Sequence, residues 1–241
     1  MLPSLGVFSH AIVETAKISV PAVWRSHRGT LTDAFCDEKL RSWSQRLLDR
    51  VELDLRVTGL ERLLPGVQSY VVMSNHQSLY DIPTLFVALP LSLRMAAKAE
   101  LFSVPVWGRA MTVAGFVKID RKDPESARAA LAEAGATMQR RGISLAISPE
   151  GTRSSDGVVR RFKRGGFEFA RATGLPILPV AIDGTRHILP KGADRVRLGQ
   201  VVNVSVLEPL VSPNFEDFEA LRELVRAQIA GALVQSRGSV P

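Results

Sequence analysis

Apolar positions along the chain first repeat with the period of a helix. Placed on a wheel of about 100° per residue, the run from Leu5 to Val20 puts Leu5, Phe8, Ile12 and Ala16 on one side and His10, Glu14 and Lys17 on the other. Pro21 is expected to end this helix, and Trp24, Arg25, His27 and Arg28 follow it. A second helix is expected from about Asp37 to Arg50, with Leu40, Trp43, Leu47 and Val51 on one stripe. Residues 1–50 thus predict an amphipathic helical hairpin ahead of the main domain.

From Val51 the period changes. The run VELDLRVTG alternates apolar and polar residues and stops at Gly59, as a strand and turn do. SYVVMS (69–74), LRMAAK (93–98), GFVKI (115–119), ISLAIS (143–148), PILPVAI (176–182) and VVNVSVL (201–207) read as further strands. Helices are expected at 79–89, near 100–112, from Pro124 to about Arg141, from Gly165 to Thr173 and from Asn214 to Val234. Proline at the first turn and Gly142 just past the end frame the helix after Pro124. Strands alternating with helices predict an α/β fold over residues 51–241, with a mostly parallel central sheet flanked by helices. In such sheets the functional loops lie beyond the strand C-termini.

Composition narrows this little. The 241 residues are 46% hydrophobic and 23% charged, which is ordinary for a globular chain and excludes disorder. Lys and Arg exceed Asp and Glu by 31 to 24, and a net charge of +7 favours anionic partners without choosing among them. Aromatic residues are few, at 6%, so stacking platforms for single-stranded nucleic acid are scarce. The lone Cys36 has no partner for an internal disulfide and sits in no nucleophile context; it reads as a small buried hydrophobe. No run approaches the roughly 18 apolar residues of a membrane span, and Glu14 and Lys17 interrupt what a secretory signal would need. The chain is therefore expected on the cytoplasmic side. The first helix, followed by Trp24, Arg25 and Arg28, suits a bilayer interface, although the same periodicity describes a helix packed on its own domain.

Three clusters carry candidate chemistry. In SNHQSLYD (74–81), His76 and Asp81 stand five residues apart beyond an expected strand. A histidine is the usual general base near neutral pH, and a carboxylate can fix its tautomer and stabilise the imidazolium. Ser78 to Asp81 also fits a capping box, and Asn75 a turn. In SPEGTRS (148–154), Gly151 would let backbone N–H groups approach a ligand, Arg153 offers a fork for phosphate, and Glu150 can accept from a glycerol hydroxyl; a plain polar turn is the alternative. Lys98, Lys118, Arg121 and Lys163 add basic residues at or near expected strand ends.

Taken in order, NHQSLYD, GFVKIDR, PEGTRS and LPILPVAI resemble the four blocks of the glycerolipid acyltransferases, above all those acting on 1-acyl-glycerol-3-phosphate. The resemblance covers residues 50–190. It implies His76 as general base and Asp81 as its orienting partner. It implies that Glu150, Gly151, Thr152 and Arg153 bind the acceptor's phosphate and glycerol, that Lys98 and Arg121 assist, and that Pro179 belongs to an apolar acyl-binding block. The acceptor would be lysophosphatidic acid, or another lysolipid or glycerol-3-phosphate. The donor would be acyl-CoA or acyl carrier protein. No metal or cofactor is implied, and the anionic membrane surface would be approached from its cytoplasmic face by a peripheral or monotopic protein. A nucleic-acid-binding protein would leave the His–Asp pair idle, and a non-catalytic lipid-binding scaffold would have no need of it.

Overall fold

The computed structural model describes residues 2–120, 123–211 and 217–238, with the backbone alone at 2–5, 124 and 126–128. A two-residue strand β1 (Leu2–Pro3) precedes the long helix α1 (Ser4–His27) and the helix α2 (Asp33–Asp49). Then come β2 (Asp54–Thr58), β3 (Val71–Ser74), α3 (Asp81–Ala88), β4 (Leu93–Lys98), α4 (Trp107–Ala114), β5 (Val117–Ile119), α5 (Pro124–Arg141) and β6 (Ser144–Ile147). The chain continues through α6 (Gly165–Thr173), β7 (Ile177–Asp183), α7 (Thr185–Ile188), β8 (Arg195–Val196), β9 (Val201–Val206) and α8 (Phe218–Gly238).

The central sheet has seven strands in the order β2-β9-β7-β3-β6-β4-β5. All neighbours run parallel except β7 and β9. This is the mostly parallel α/β sheet the alternating pattern predicts. Both faces are covered, so the middle strands are apolar but for residues at their ends such as Ser74, Ser144 and Asp183. In β3, Val72 faces one core with Leu85, Phe86 and Leu178, while Val71 and Met73 face the other with Phe167, Val225 and Ile229. The C-termini of β3, β4, β5 and β6 therefore open on one rim.

The hairpin exists, but its first helix departs from expectation. α1 runs on through Pro21 to His27. Proline in a helix interior removes one hydrogen bond at a cost of about 3 kcal/mol. The packing of α1 on α2 and α4 bridges the gap. Thr32 caps α2, its Oγ1 accepting the Phe35 N–H at 3.2 Å. Arg94 of β4 is wholly buried and ties this hairpin to the sheet. It donates to Asp37 at 2.5 Å and Asp33 at 3.3 Å on α2, and to the carbonyls of Ala114 and Leu93.

α1 is inverted relative to an ordinary surface helix. Glu14 is buried and paired with Lys17 and with Arg46 of α2. The i, i+4 row Phe8, Ile12, Ala16, Val20 and Trp24 is exposed, Ile12 to 70%. Among the described residues no helix is long and apolar enough to cross a membrane.

Candidate active site

β3 delivers the first cluster to the rim. At its end the Asn75 side chain continues the strand pairing: its amide donates to the Ile182 carbonyl and its oxygen accepts the Ile182 N–H, both at 2.8 Å. The turn that follows is built on Asp81, the first residue of α3. One carboxylate oxygen accepts from His76 Nδ1 at 2.6 Å and from the N–H groups of Gln77 and Ser78 at 2.7 and 3.0 Å. The other accepts from Thr185 Oγ1 at 2.5 Å. Asp81 is thus both the half capping box of the turn and the partner of His76, and the two readings of the sequence hold together. A buried carboxylate that accepts four hydrogen bonds is a fixed orienter. With Nδ1 taken, Nε2 is the ring nitrogen left for chemistry, and His76 lines a cavity of about 660 Å³.

The β6 loop grips His76 from behind. Glu150 is buried; one oxygen accepts the His76 backbone N–H and the other the Arg160 N–H, both at 3.0 Å. The His76 carbonyl accepts from the Ser154 N–H at 2.7 Å. Both backbone groups of His76 are therefore held by residues 150–154, so the first and second clusters form one unit. Burial pushes the Glu150 carboxyl up, against the pull of the two N–H groups.

This alters several sequence expectations. Glu150 was expected to accept from a glycerol hydroxyl; both its oxygens are instead engaged with backbone N–H groups. The Gly151 N–H donates to the Ser148 carbonyl at 3.0 Å, so it is already engaged. Thr152 points to solvent, meeting Lys191 Nζ at 3.3 Å, and is not on the cavity wall. Pro179 lies inside β7 opposite Met73, in the body of the sheet, and does not line the cavity. Arg121 falls outside the described residues. Gly151, Arg153 and Lys98 do line the cavity, Lys98 with an exposed ion pair to Glu100 at 2.8 Å. Arg153 makes no ion pair among the described residues.

The cavity runs from this polar mouth into apolar walls. Ile18 of α1, Phe35 and Trp43 of α2, Met95 of β4, Met111 of α4 and Phe116 supply much of them. Cys36 also lines it, and burial pushes its thiol up, away from thiolate chemistry. Among the described residues no three His, Cys, Asp or Glu side chains converge as metal ligands. Thr185 and Ser154, which hold Asp81 and the His76 carbonyl, are positions that sequence reasoning missed. Thr185 is 104 residues from Asp81 and carries no local signal of its role.

Comparison with known proteins places these features. A family model described as acyltransferase matches residues 54–183. The chain is 37% identical over 154 residues to the chloroplastic 1-acyl-sn-glycerol-3-phosphate acyltransferase BAT2 of Brassica napus, covering 64% of this chain and 44% of that protein. It is 34% identical over 164 residues to the human 1-acyl-sn-glycerol-3-phosphate acyltransferase alpha, covering 67% and 58%. The chain spans about half the length of the curated relatives it matches. The crystal structure of the 1-acyl-sn-glycerophosphate acyltransferase PlsC from Thermotoga maritima superposes with a TM-score of 0.81 at 27% identity, over 99% of this chain and 96% of that one.

Proposed function

As the chain belongs to the acyltransferase family, we propose that it moves a fatty acyl group from a thioester to the free sn-2 hydroxyl of 1-acyl-glycerol-3-phosphate, giving phosphatidic acid. The observation that carries this is the His76–Asp81 pair at 2.6 Å, set at the mouth of a cavity with apolar walls and cations on its rim. His76 Nε2 takes the proton of the acceptor hydroxyl, whose oxygen attacks the thioester carbonyl. Asp81 stabilises the imidazolium. The tetrahedral intermediate expels the thiolate, which takes the proton from His76. No acyl-enzyme is needed, and Cys36 stays out of the chemistry.

The acyl chain has a place in the apolar part of the cavity, and Arg153 and Lys98 hold the phosphate at its mouth, which lowers the entropic part of the barrier. The exposed row from Phe8 to Trp24 rests on the anionic cytoplasmic face of the membrane, where both lysolipid and product reside. Contiguous exposed apolar surface of this kind is a mark of docking.

The test is acyl transfer by the purified protein, read by mass spectrometry. The acceptors are lysophosphatidic acid, lysophosphatidylglycerol, lysophosphatidylcholine and glycerol-3-phosphate, each with acyl-CoA and acyl carrier protein as donor. Preferred turnover of lysophosphatidic acid is expected. Preference for another acceptor would overturn the substrate, and no transfer to any of them would overturn the activity.

A further inference from the structure

In the basic run 160–164, Arg160 pairs with Asp156 at 2.5 Å and Arg161 with Glu219 at 3.3 Å, both at the surface. Lys163 and Arg164 make no ion pair among the described residues, and both line the same cavity as His76 and Arg153. Lys163 is the one seated on the 148–154 loop. Its seat is specific. The Lys163 N–H donates to the Pro149 carbonyl at 2.8 Å, which fixes its backbone beside the 148–154 loop. Its side chain then lies across Gly151. A Cβ at that residue would stand 2.9 Å from Lys163 Cε, 3.0 Å from Nζ and 3.3 Å from Cδ. Gly151, at φ +70°, is thus the residue whose missing side chain makes room for a lysine stem. The ammonium is carried to the loop that holds His76 and Arg153.

We propose that Lys163 is a specificity-determining residue of the acceptor site, adding to Arg153 and Lys98 a positive charge that selects a terminal phosphate monoester over a phosphodiester. The inference rests on the acceptor reading given above. A monoester carries a charge of about −1.5 to −2 at neutral pH, whereas a diester carries one negative charge and a further substituent on the phosphorus. Each cation at the mouth therefore gains more from the monoester than from the diester. Lys98 shares its charge with Glu100, whereas the Lys163 ammonium, with no ion pair among the described residues, keeps its full charge for the ligand.

The experiment compares wild type, K163M and K163R on lysophosphatidic acid and on lysophosphatidylglycerol of the same acyl chain, with the donor varied separately. Where turnover of the diester is slow, it is read as a competitive inhibitor. K163M is expected to raise the KM for lysophosphatidic acid about tenfold, the loss of one charge-assisted contact. The constant for the diester should move less than about twofold, the donor KM should stay put, and K163R should keep most of the wild-type discrimination. Lys163 is exposed, so both variants should fold, which thermal melting checks. Equal losses on both acceptors, or a shift confined to the donor KM, would overturn the role of Lys163 while leaving the acceptor reading intact. A wild-type protein that does not acylate lysophosphatidic acid would overturn that reading, and this inference with it.

Discussion

Glu150→Gln separates a residue that touches substrate from one that holds the base in place. In the structure Glu150 presents two acceptor oxygens to two backbone N–H groups, those of His76 and Arg160, each at 3.0 Å. A glutamine of the same shape has one acceptor oxygen and one NH₂ group. Whichever way it turns, one backbone N–H faces a donor, and the other keeps a neutral bond where it had a charged one. Hydrogen bonds to charged groups contribute roughly 1.5–3 kcal/mol and neutral ones about 0.5–1.5 kcal/mol. The sum is a loss of about 2–4 kcal/mol of stability, readable as a lower urea midpoint. The catalytic effect comes through geometry. A base displaced by about 1 Å costs on the order of 10²-fold, and the His76 backbone N–H and carbonyl are both held by this loop. E150Q should therefore lower kcat by about 10²-fold while the acceptor KM stays within about threefold. The assay is thiol release from acyl-CoA with the acceptor titrated. If kcat survives and the acceptor KM rises instead, Glu150 binds the glycerol and the bracing role is wrong.

Other perturbations test other parts of the molecule. Asp81→Asn presents an amide donor to a site that receives four hydrogen bonds, and it should lower kcat on the order of 10⁴-fold, as loss of the orienting carboxylate does in hydrolase triads, with little change in either KM. Arg94→Ala should cost roughly 3 kcal/mol in chemical denaturation, because it strips the wholly buried tie between α2 and the sheet. The hydrogen bond from Lys17, followed by the pairing with Arg46, holds the Glu14 carboxyl below its ordinary value. Its stabilisation is therefore present above the unfolded-state pKa of about 4.3 and is lost as pH falls through the lower folded value. Trp43, whose Nε1 donates to Thr15 across the hairpin, should report that loss by fluorescence, and E14Q should flatten it. Ile12→Glu with Val20→Glu should abolish co-sedimentation with anionic vesicles while leaving the melting temperature unchanged, since both side chains are already in solvent; unchanged sedimentation would refute docking through this row.

The fold was legible because a parallel sheet buried on both faces forces apolar runs, and those runs at 69–74, 143–148 and 176–182 became β3, β6 and β7. The pairing of His76 with Asp81 was legible because it is local, within one strand-to-helix turn. What the sequence hid was long-range. Thr185 closing on Asp81, Glu150 holding the His76 N–H and Ser154 holding its carbonyl are contacts between chain segments that carry no shared periodicity. Glu150 was only partly legible, for a physical reason. A carboxylate in a polar loop has the composition of a ligand residue, and only its burial and its two backbone donors show it bracing the His76 turn. Pro21 misled: the rule that proline ends a helix describes isolated helices, and here packing on α2 and α4 outweighs it.

The inverted helix α1 joins the two ends of the proposed reaction. Burying Glu14 with Arg46 and Lys17 while leaving Phe8, Ile12, Val20 and Trp24 in solvent runs against the hydrophobic effect in water. Full burial of such side chains is worth about 1.5–3 kcal/mol each, so sinking four half-exposed ones into lipid recovers roughly 3–5 kcal/mol, enough for reversible binding but not for permanent insertion. The buried ion cluster sets the rotation of the helix, because turning the apolar row inward would carry Glu14 out of reach of Arg46. The inner side of the same helix, at Ile18 and Ala22, is part of the cavity wall. In the proposed reaction one helix would present its outer face to the bilayer and its inner face to the acyl chain. A lysolipid drawn partly out of the leaflet beside α1 keeps apolar contact along the way to His76, and its acyl tail need not cross open water.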